Sequence, residues 1–280
     1  MMIIHSFCKN PNCSNKSFAV HMFYFALSCV YAKRSGFNIR LHCDKETYEV
    51  LKYCPYDEIV VDLVSTDCPH SCIYAWPKFK AMENEDLGNI HIDGDVFLKS
   101  SGLQEILSYN GNDVIVQGKE VYDSHFKCWT ITKKLCNQLM YPKFLKTELL
   151  EMYNCGTVGI NNKELKDEYF KIYWDCINYL KAKLNPDNSK DIFELQCRPD
   201  IVYEQQVLQD LCEYKGYTAK FVIPSASKHD LIDYANEIGY QHVLGGKYKE
   251  QNLHFCTQIL SHLTPTVYRK LCDILKDYLV

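Results

Sequence analysis

Two aspartates separated by one glycine, Asp93-Gly94-Asp95, follow the apolar run Ile90-His91-Ile92 and precede another, Val96-Phe97-Leu98. A strand places side chains i and i+2 on one face, so a strand continued through Gly94 brings the two carboxylates together. Carboxylates that close repel each other unless a proton or a cation sits between them. A hard divalent ion, Mg²⁺ or Mn²⁺, that also holds phosphate oxygens accounts for the pair. Gly94 adds a stretch of backbone that a ligand can approach closely. Taken alone, such a triplet is more often a solvated turn closing a strand, so the surrounding elements have to decide.

Those elements can be read in order. Residues 2–7 form a short apolar run suited to a central parallel strand. After a loop rich in Asn, Cys and Pro, residues 18–34 read as a helix stopped at Ser35-Gly36. The alternating segment 37–43 predicts a second strand ending at Asp44, residues 45–53 a helix stopped by Pro55, and residues 57–63 a third strand. This β-α-β-α-β rhythm predicts an α/β protein with a mostly parallel sheet and helices on both faces. Ligands of such sheets bind beyond the carboxyl ends of the strands, which puts Ser6, Phe7 and Asp44 at the binding edge.

A helix over 73–84, carrying Trp76, Lys78 and Lys80, leads into the aspartate strand. Further strands are expected at 113–116, 153–162 and 219–223. Between them lies a helix over 163–184 with the apolar stripe Phe170, Tyr173, Ile177, Leu180 and Leu184. Asp200 would cap a helix holding Glu204-Gln205-Gln206, and residues 122–139 read as helical or irregular. Thr264-Pro265 has the pattern of a helix start. The stripe Val267, Leu271, Ile274, Leu275 and Tyr278 would dock that last helix on the rest. With no repeat and no long linker, residues 1–280 read as one domain.

A chain of 280 residues can bury a full core, and a net charge of −4 gives no case for a nucleic-acid binder. The cysteines number fifteen, an odd count, scattered through apparent helices and strands; they read as reduced, buried thiols. The cluster Cys68-Pro69-His70-Ser71-Cys72, even with Cys8 and Cys13 as a second pair, does not have a common zinc spacing. The apolar stretch 20–32 is too short to span a bilayer and is interrupted by His21 and Ser28. Cleavage after it would discard the first strand. The expectation is a cytoplasmic protein, peripheral at a membrane at most. No G-x-G-x-x-G follows the first strand and no G-x-x-x-x-G-K-[ST] occurs, which argues against a dinucleotide dehydrogenase or a P-loop ATPase.

Four motifs then stand in a telling order: Asp93-Gly94-Asp95, Asn154-Cys155-Gly156, Glu204-Gln205-Gln206 and His242-Val243-Leu244-Gly245-Gly246-Lys247. They resemble those of GT-A-fold glycosyltransferases that use nucleotide-sugars, above all the retaining, galactosyltransferase-like group, with its D-x-D, N-[SA]-G, D-Q-D and H-x-x-G-x-x-K elements. The opening His5-Ser6-Phe7 and the segment Leu41-His42-Cys43-Asp44 also resemble small bacterial glycosyltransferase-like proteins. Cys155 replaces the usual small Ser or Ala, Glu204 and Gln206 stand where the family has aspartates, and the last motif is one residue short.

The resemblance implies a GT-A, Rossmann-like fold, a UDP-sugar donor, a carbohydrate or glycolipid acceptor, and hexose transfer with retention. It implies a Mn²⁺ or Mg²⁺ ion held by Asp95 and His242, with Asp93 sharing the ion or contacting the ribose. Lys78 stands roughly where the family places a basic residue that contacts the donor, and Asn154 would bond the sugar or the acceptor. Gly156 and Gly245 would bring backbone to the donor, and Lys247 would set a point charge beside phosphate. Ser6, Phe7 and Asp44 would touch the uridine. Glu204 would deprotonate the acceptor in an inverting enzyme. In a retaining one, Glu204 or Gln205 would stabilise oxocarbenium-like charge. Read singly, His242 is an ordinary histidine, Lys78 an exposed helix lysine, Asn154 a turn residue and Glu204 a solvated helix position.

Two other readings keep the same acidic pair: a nucleotidyltransferase, and a non-catalytic nucleotide-sugar-binding protein of the same fold. A phosphatase of the haloacid dehalogenase type carries its aspartates on the first strand, which is not the arrangement here.

Overall fold

The computed structural model describes residues 1–10, 13–67, 73–121, 151–183, 202–224, 228–243 and 248–279. The Cys68–Cys72 cluster, the segment 122–139, Leu184, the cap at Asp200, and both Gly245 and Lys247 lie outside the described residues.

Seven strands form one sheet: β1 (Ile3–Phe7), β2 (Ile39–Cys43), β3 (Glu58–Val61), β4 (Ile90–Ile92), β6 (Val114–Val121), β7 (Glu151–Ile160) and β8 (Ala219–Phe221). Their order is β3-β2-β1-β4-β7-β6-β8. Neighbours run parallel except at β7, which is antiparallel to both β4 and β6. Two short strands, β5 (Val96–Leu98) and β9 (Tyr240–His242), form a separate antiparallel ribbon. The central strands are apolar on both faces, as a sheet covered on both sides requires: Ile3, Ile4, Ile39 and Leu41 are fully buried.

The helices are α1 (Asn15–Arg34), α2 (Lys45–Leu51), α3 (Trp76–Glu83), α4 (Leu103–Ile106), α5 (Lys163–Lys183), α6 (Val207–Lys215), α7 (Lys228–Ile238), α8 (Glu250–Leu263) and α9 (Pro265–Leu275). A π-helical turn, Val202–Gln206, leads into α6. Alternation along β6 separates two cores. Ile115 belongs with α1, α8 and α9 on one face. Val114 and Val116 belong with Phe79 of α3, Tyr173 of α5 and Leu208 of α6 on the other. The architecture is therefore a mostly parallel α/β sheet with helices on both faces.

Helix α1 is the hub of the first core. Thirteen of its twenty residues are buried, so it is enclosed around most of its circumference and reads as a core helix. The Ser14 side chain accepts the Ser17 N–H at 3.1 Å and caps its start, a contact worth about 1 kcal/mol. Leu271 and Leu275 of α9 are buried in the same core. Three helices were not expected from the sequence, α4, α7 and α8, and β6 runs on to Val121, well past the predicted 113–116.

Candidate active site

The two aspartates do not share a strand, contrary to the expectation. β4 ends at Ile92, the chain turns through Asp93-Gly94, and β5 begins at Val96 in the other sheet. The turn itself folds Asp95 back beside Asp93, and the Val96 N–H donates to the Asp93 carbonyl at 2.9 Å. Gly94 is needed there for a different reason from close ligand approach. A Cβ on it would lie 2.2–2.6 Å from ring atoms of Phe25, so α1 fills the room the missing side chain leaves.

Across the sheet, β7 is bulged. Val116 pairs with Val158 and Gly118 with Asn154, so Gln117 alone faces Cys155, Gly156 and Thr157. Bulges re-aim the groups around them. Here the Gly156 carbonyl turns to accept the Asp93 N–H at 2.8 Å, while Asn154 Oδ1 accepts the Gly156 N–H at 2.8 Å. A Cβ on Gly156 would fall 2.4 Å from Cε1 of His242 and 2.7 Å from Oε1 of Gln117. The N-x-G element thus requires its glycine to admit the imidazole.

His242 arrives on β9, whose ribbon register sets it opposite Val96, and the Asp95 carbonyl accepts the Val243 N–H at 3.0 Å. Its Nδ1 donates to Gln117 Oε1 at 2.7 Å, and that oxygen also accepts the Tyr240 hydroxyl at 2.8 Å. Thr157 Oγ1 lies 2.8 Å from the same hydroxyl and completes the chain. This fixes the tautomer and leaves Nε2 as the lone pair. Nε2 stands 3.7 Å from Asp95 Oδ1, beyond hydrogen-bond reach. One ligand atom from each of Asp93, Asp95 and His242 lies within 4.8 Å of the others. Ligands about 2.1 Å from a single ion stand roughly 3–4 Å apart. Two carboxylates and an imidazole held by a second hydrogen bond therefore fit Mn²⁺ or Mg²⁺.

Lys78 is buried; its ammonium donates to Glu204 Oε1 at 2.5 Å and to the Cys155 carbonyl at 2.7 Å, and it forms an ion pair with Asp93 Oδ1 at 2.9 Å. Lys78 also lines the first cavity, and these protein partners give it a structural role beside the expected contact with the donor. Lys78 ties the D-x-D turn to the Glu204-Gln205-Gln206 segment. Burial works against its charge, but the Asp93 and Glu204 carboxylates outweigh it and hold its pKa above the ordinary lysine value. Glu204 is buried on the π-helical turn rather than on the exposed face of a regular helix, and its carbonyl accepts the Tyr169 hydroxyl at 2.7 Å. Gln205 is half-buried on the same turn. Burial pushes the Cys155 thiol well above its ordinary pKa, which makes it inert packing beneath the site.

Two cavities flank the triad. The first, of about 620 Å³, is lined by Ser6, Phe7, Lys78, His91, Asp93 and Asp95 among others. His91 is buried, its Nε2 bonded to Ser6 Oγ at 2.8 Å. Its Nδ1 lacks a hydrogen bond and lies 3.9 Å from Asp93 Oδ1. Burial and the nearby Lys78 charge push this imidazole well below its ordinary pKa. The second cavity, of about 560 Å³, holds Asn154 and His242 in its wall.

Asp44 lines neither cavity. One of its oxygens accepts the Thr47 N–H at 2.7 Å and caps α2, and the other accepts the Lys9 N–H. Asp44 thus braces the loop after β1. Gln117 was missed from the sequence altogether. The only signal was a polar residue closing the apolar run Val114-Ile115-Val116.

A mostly parallel α/β sheet, with a carboxylate–imidazole triad beyond the carboxyl end of a central strand, defines the class of protein. The chain belongs to the family of unknown function DUF6734, whose model matches residues 1–274. No curated protein matches it. Among solved structures, the apo form of mouse xyloside xylosyltransferase 1 is similar, with a TM-score of 0.43 and 10% identity over 88% of this chain and 98% of that one. A 4-diphosphocytidyl-2C-methyl-D-erythritol synthase from Anaerococcus prevotii is also similar, with a TM-score of 0.40 and 9% identity over 93% of this chain and 96% of that one. Overlap at this level carries no activity from one chain to another. Among the described residues, no helix is long and apolar enough to cross a membrane.

Proposed function

We propose that the chain is a metal-dependent glycosyltransferase that moves a hexose from a UDP-sugar to a carbohydrate or glycolipid acceptor, with retention. The observation that carries this reading is the convergence of the adjacent pair Asp93 and Asp95 with His242, from far along the chain, between two cavities. Asp93, Asp95 and His242 would hold Mn²⁺ or Mg²⁺, which when bound neutralises the diphosphate of the departing nucleotide. The first cavity, floored by Ser6, Phe7 and His91, is of a size that suits a nucleotide. Gly245 and Lys247, next along the chain from β9, would serve the phosphates.

Retention is favoured by the state of Glu204. Its Oε1 already accepts from the Lys78 ammonium at 2.5 Å, which places it poorly to take a proton from an acceptor hydroxyl. Neither Glu204 nor Gln205 lines either cavity, so Glu204 would act from behind Lys78 as a fixed negative charge that steadies oxocarbenium-like character on the donor sugar. Asn154, in the wall of the second cavity, would meet the sugar or the acceptor.

The test is calorimetry with UDP in the presence and absence of Mn²⁺, followed by assay for slow UDP-sugar hydrolysis. Metal-dependent binding is expected, with Asp95→Ala losing more than about 100-fold in affinity. UDP binding that is indifferent to metal and to Asp95→Ala would sink the proposal. Binding without any turnover would leave a nucleotide-sugar-binding protein instead, and pyrophosphate release from a nucleoside triphosphate would make it a nucleotidyltransferase.

A further inference from the structure

His91 is a buried side chain that the site leaves half satisfied. It lies on β4, two residues before Asp93, is only 2% exposed, and lines the first cavity together with Ser6 and Lys78. Its Nε2 shares a hydrogen bond with Ser6 Oγ at 2.8 Å. Its Nδ1 has no hydrogen-bond partner among the described residues, and 3.9 Å separates it from Asp93 Oδ1. Buried polar atoms are nearly always paired, so an exception beside a candidate metal ligand calls for a reason.

The neighbours decide which nitrogen carries the proton. A serine hydroxyl can donate to Nε2 or accept from it, so Ser6 suits either tautomer. The Asp93 carboxylate can only accept, which favours a proton on Nδ1. Of the groups around that atom, Asp93 is the one with room to turn. Its side chain is 36% exposed, against 9% for Lys78, its ion-pair partner at 2.9 Å. Closing the 3.9 Å gap to a hydrogen bond takes a shift of about 1 Å.

We infer that His91 is a positioning residue for Asp93: as one Asp93 oxygen turns to a divalent cation, the other accepts the Nδ1–H of His91, and the Ser6–His91 pair holds the carboxylate in its ligating pose. The inference rests on the proposed reading for the cation alone; it requires neither a UDP-sugar nor transfer. Carboxylates that ligate metals are themselves hydrogen-bonded, and such outer partners fix the orientation of the ligand. The same bond accounts for an Nδ1 that no other described group satisfies.

The experiment uses the full chain without nucleotide and has two readouts. In long-range ¹H–¹⁵N correlation spectra of protein labelled at histidine, His91, assigned by its loss in His91→Gln, should carry its proton on Nδ1. Mg²⁺ should move that proton downfield while Nε2 stays unprotonated. In electron paramagnetic resonance titration with Mn²⁺, His91→Gln, which can reach Ser6 but offers no donor in the place of Nδ1, should weaken Kd by about tenfold. His91→Asn, whose amide nitrogen falls near the place of Nδ1, should recover most of that loss, a rescue that a packing role would not give. A proton on Nε2, an Nδ1 signal indifferent to Mg²⁺, unchanged Mn²⁺ affinity in His91→Gln, or equal weakening in both variants overturns the inference. The spectra of the unaltered chain decide the matter even where a variant fails to fold. If Mn²⁺ binds as expected but UDP binding ignores it, the parent reading falls and the inference stands. Failure of the unaltered chain to bind Mn²⁺ or Mg²⁺ removes both.

Discussion

Two clusters of buried charge hang from the same sheet. Beside β2, His42 donates to Asp62 Oδ2 and to Glu85 Oε1, each at 2.8 Å. Glu85 also takes Arg40 Nη1 and Asn89 Nδ2, each at 2.7 Å. Burial opposes the charge on His42, but the hydrogen bonds to Asp62 and Glu85 outweigh it and push its pKa up to about 9. Burial likewise opposes charge on Glu85, yet His42, Arg40 and Asn89 bring it down to about 2. None of these side chains lines either cavity flanking the triad. The cluster around Asp95 is built from the same residue types, but His242 Nε2 stops 3.7 Å short of a carboxylate, and His242 lines the second cavity. Buried charge by itself is therefore no mark of a working site. What sets the proposed site apart is a set of potential metal ligands that lines two cavities.

That contrast can be broken from either side, and the largest effect belongs to Lys78. Lys78→Met leaves Glu204 and Asp93 facing each other without their cation and should cost about 3–5 kcal/mol of unfolding free energy in urea. A loss below about 1 kcal/mol would mean the buried network is not held by that ammonium. Gly156→Ala comes next. Its Cβ must displace the His242 ring, so Mn²⁺ affinity, read by electron paramagnetic resonance titration, should fall about 10–100-fold, with overpacking of about 1–3 kcal/mol. Unchanged Mn²⁺ binding would remove His242 from the ligand set.

The smallest effect lies in the closed cluster. His42 is more basic folded than unfolded, so its stabilisation is complete below its ordinary pKa of 6.5 and fades as pH rises through about 9. Glu85 behaves oppositely: its contribution is present above its ordinary 4.5 and is lost as pH falls through about 2. The melting temperature should therefore decline between pH 6.5 and pH 9, and His42→Gln should flatten that decline. An identical slope in the variant would show that His42 is not charged in the folded chain.

Much of this was legible in the residues. The three early strands, α1 as a core helix, the Asp93-Gly94-Asp95 element and the docking stripe of α9 follow from periodicity and punctuation, which are local properties. The expected arrangement failed where distant segments decide the outcome. Nothing near Gly94 announces that Phe25 needs its space, and nothing near Gly156 announces His242. Lys78 looked like a solvated helix lysine because its partners, Asp93, Cys155 and Glu204, come from three later parts of the chain. Strand β9 is only Tyr240-Gln241-His242, too short for an alternation to register, and it exists because β5 offers it a partner. Helix α8 could have been found from the spacing of Leu253, Cys256, Leu260 and Leu263.

The β5–β9 ribbon holds one further lesson. Its register sets His242 opposite Val96, one residue beyond Asp95, and side chains on a strand change face with every step. Gain or loss of a single codon within Val96–Leu98 or Tyr240–His242 would swing the imidazole away from the acidic turn and, with it, disturb Val96, Phe97, Leu98 and Tyr240, all of them buried. On the proposed reading, the acidic pair, the imidazole and the ribbon's buried residues are therefore inherited together or lost together.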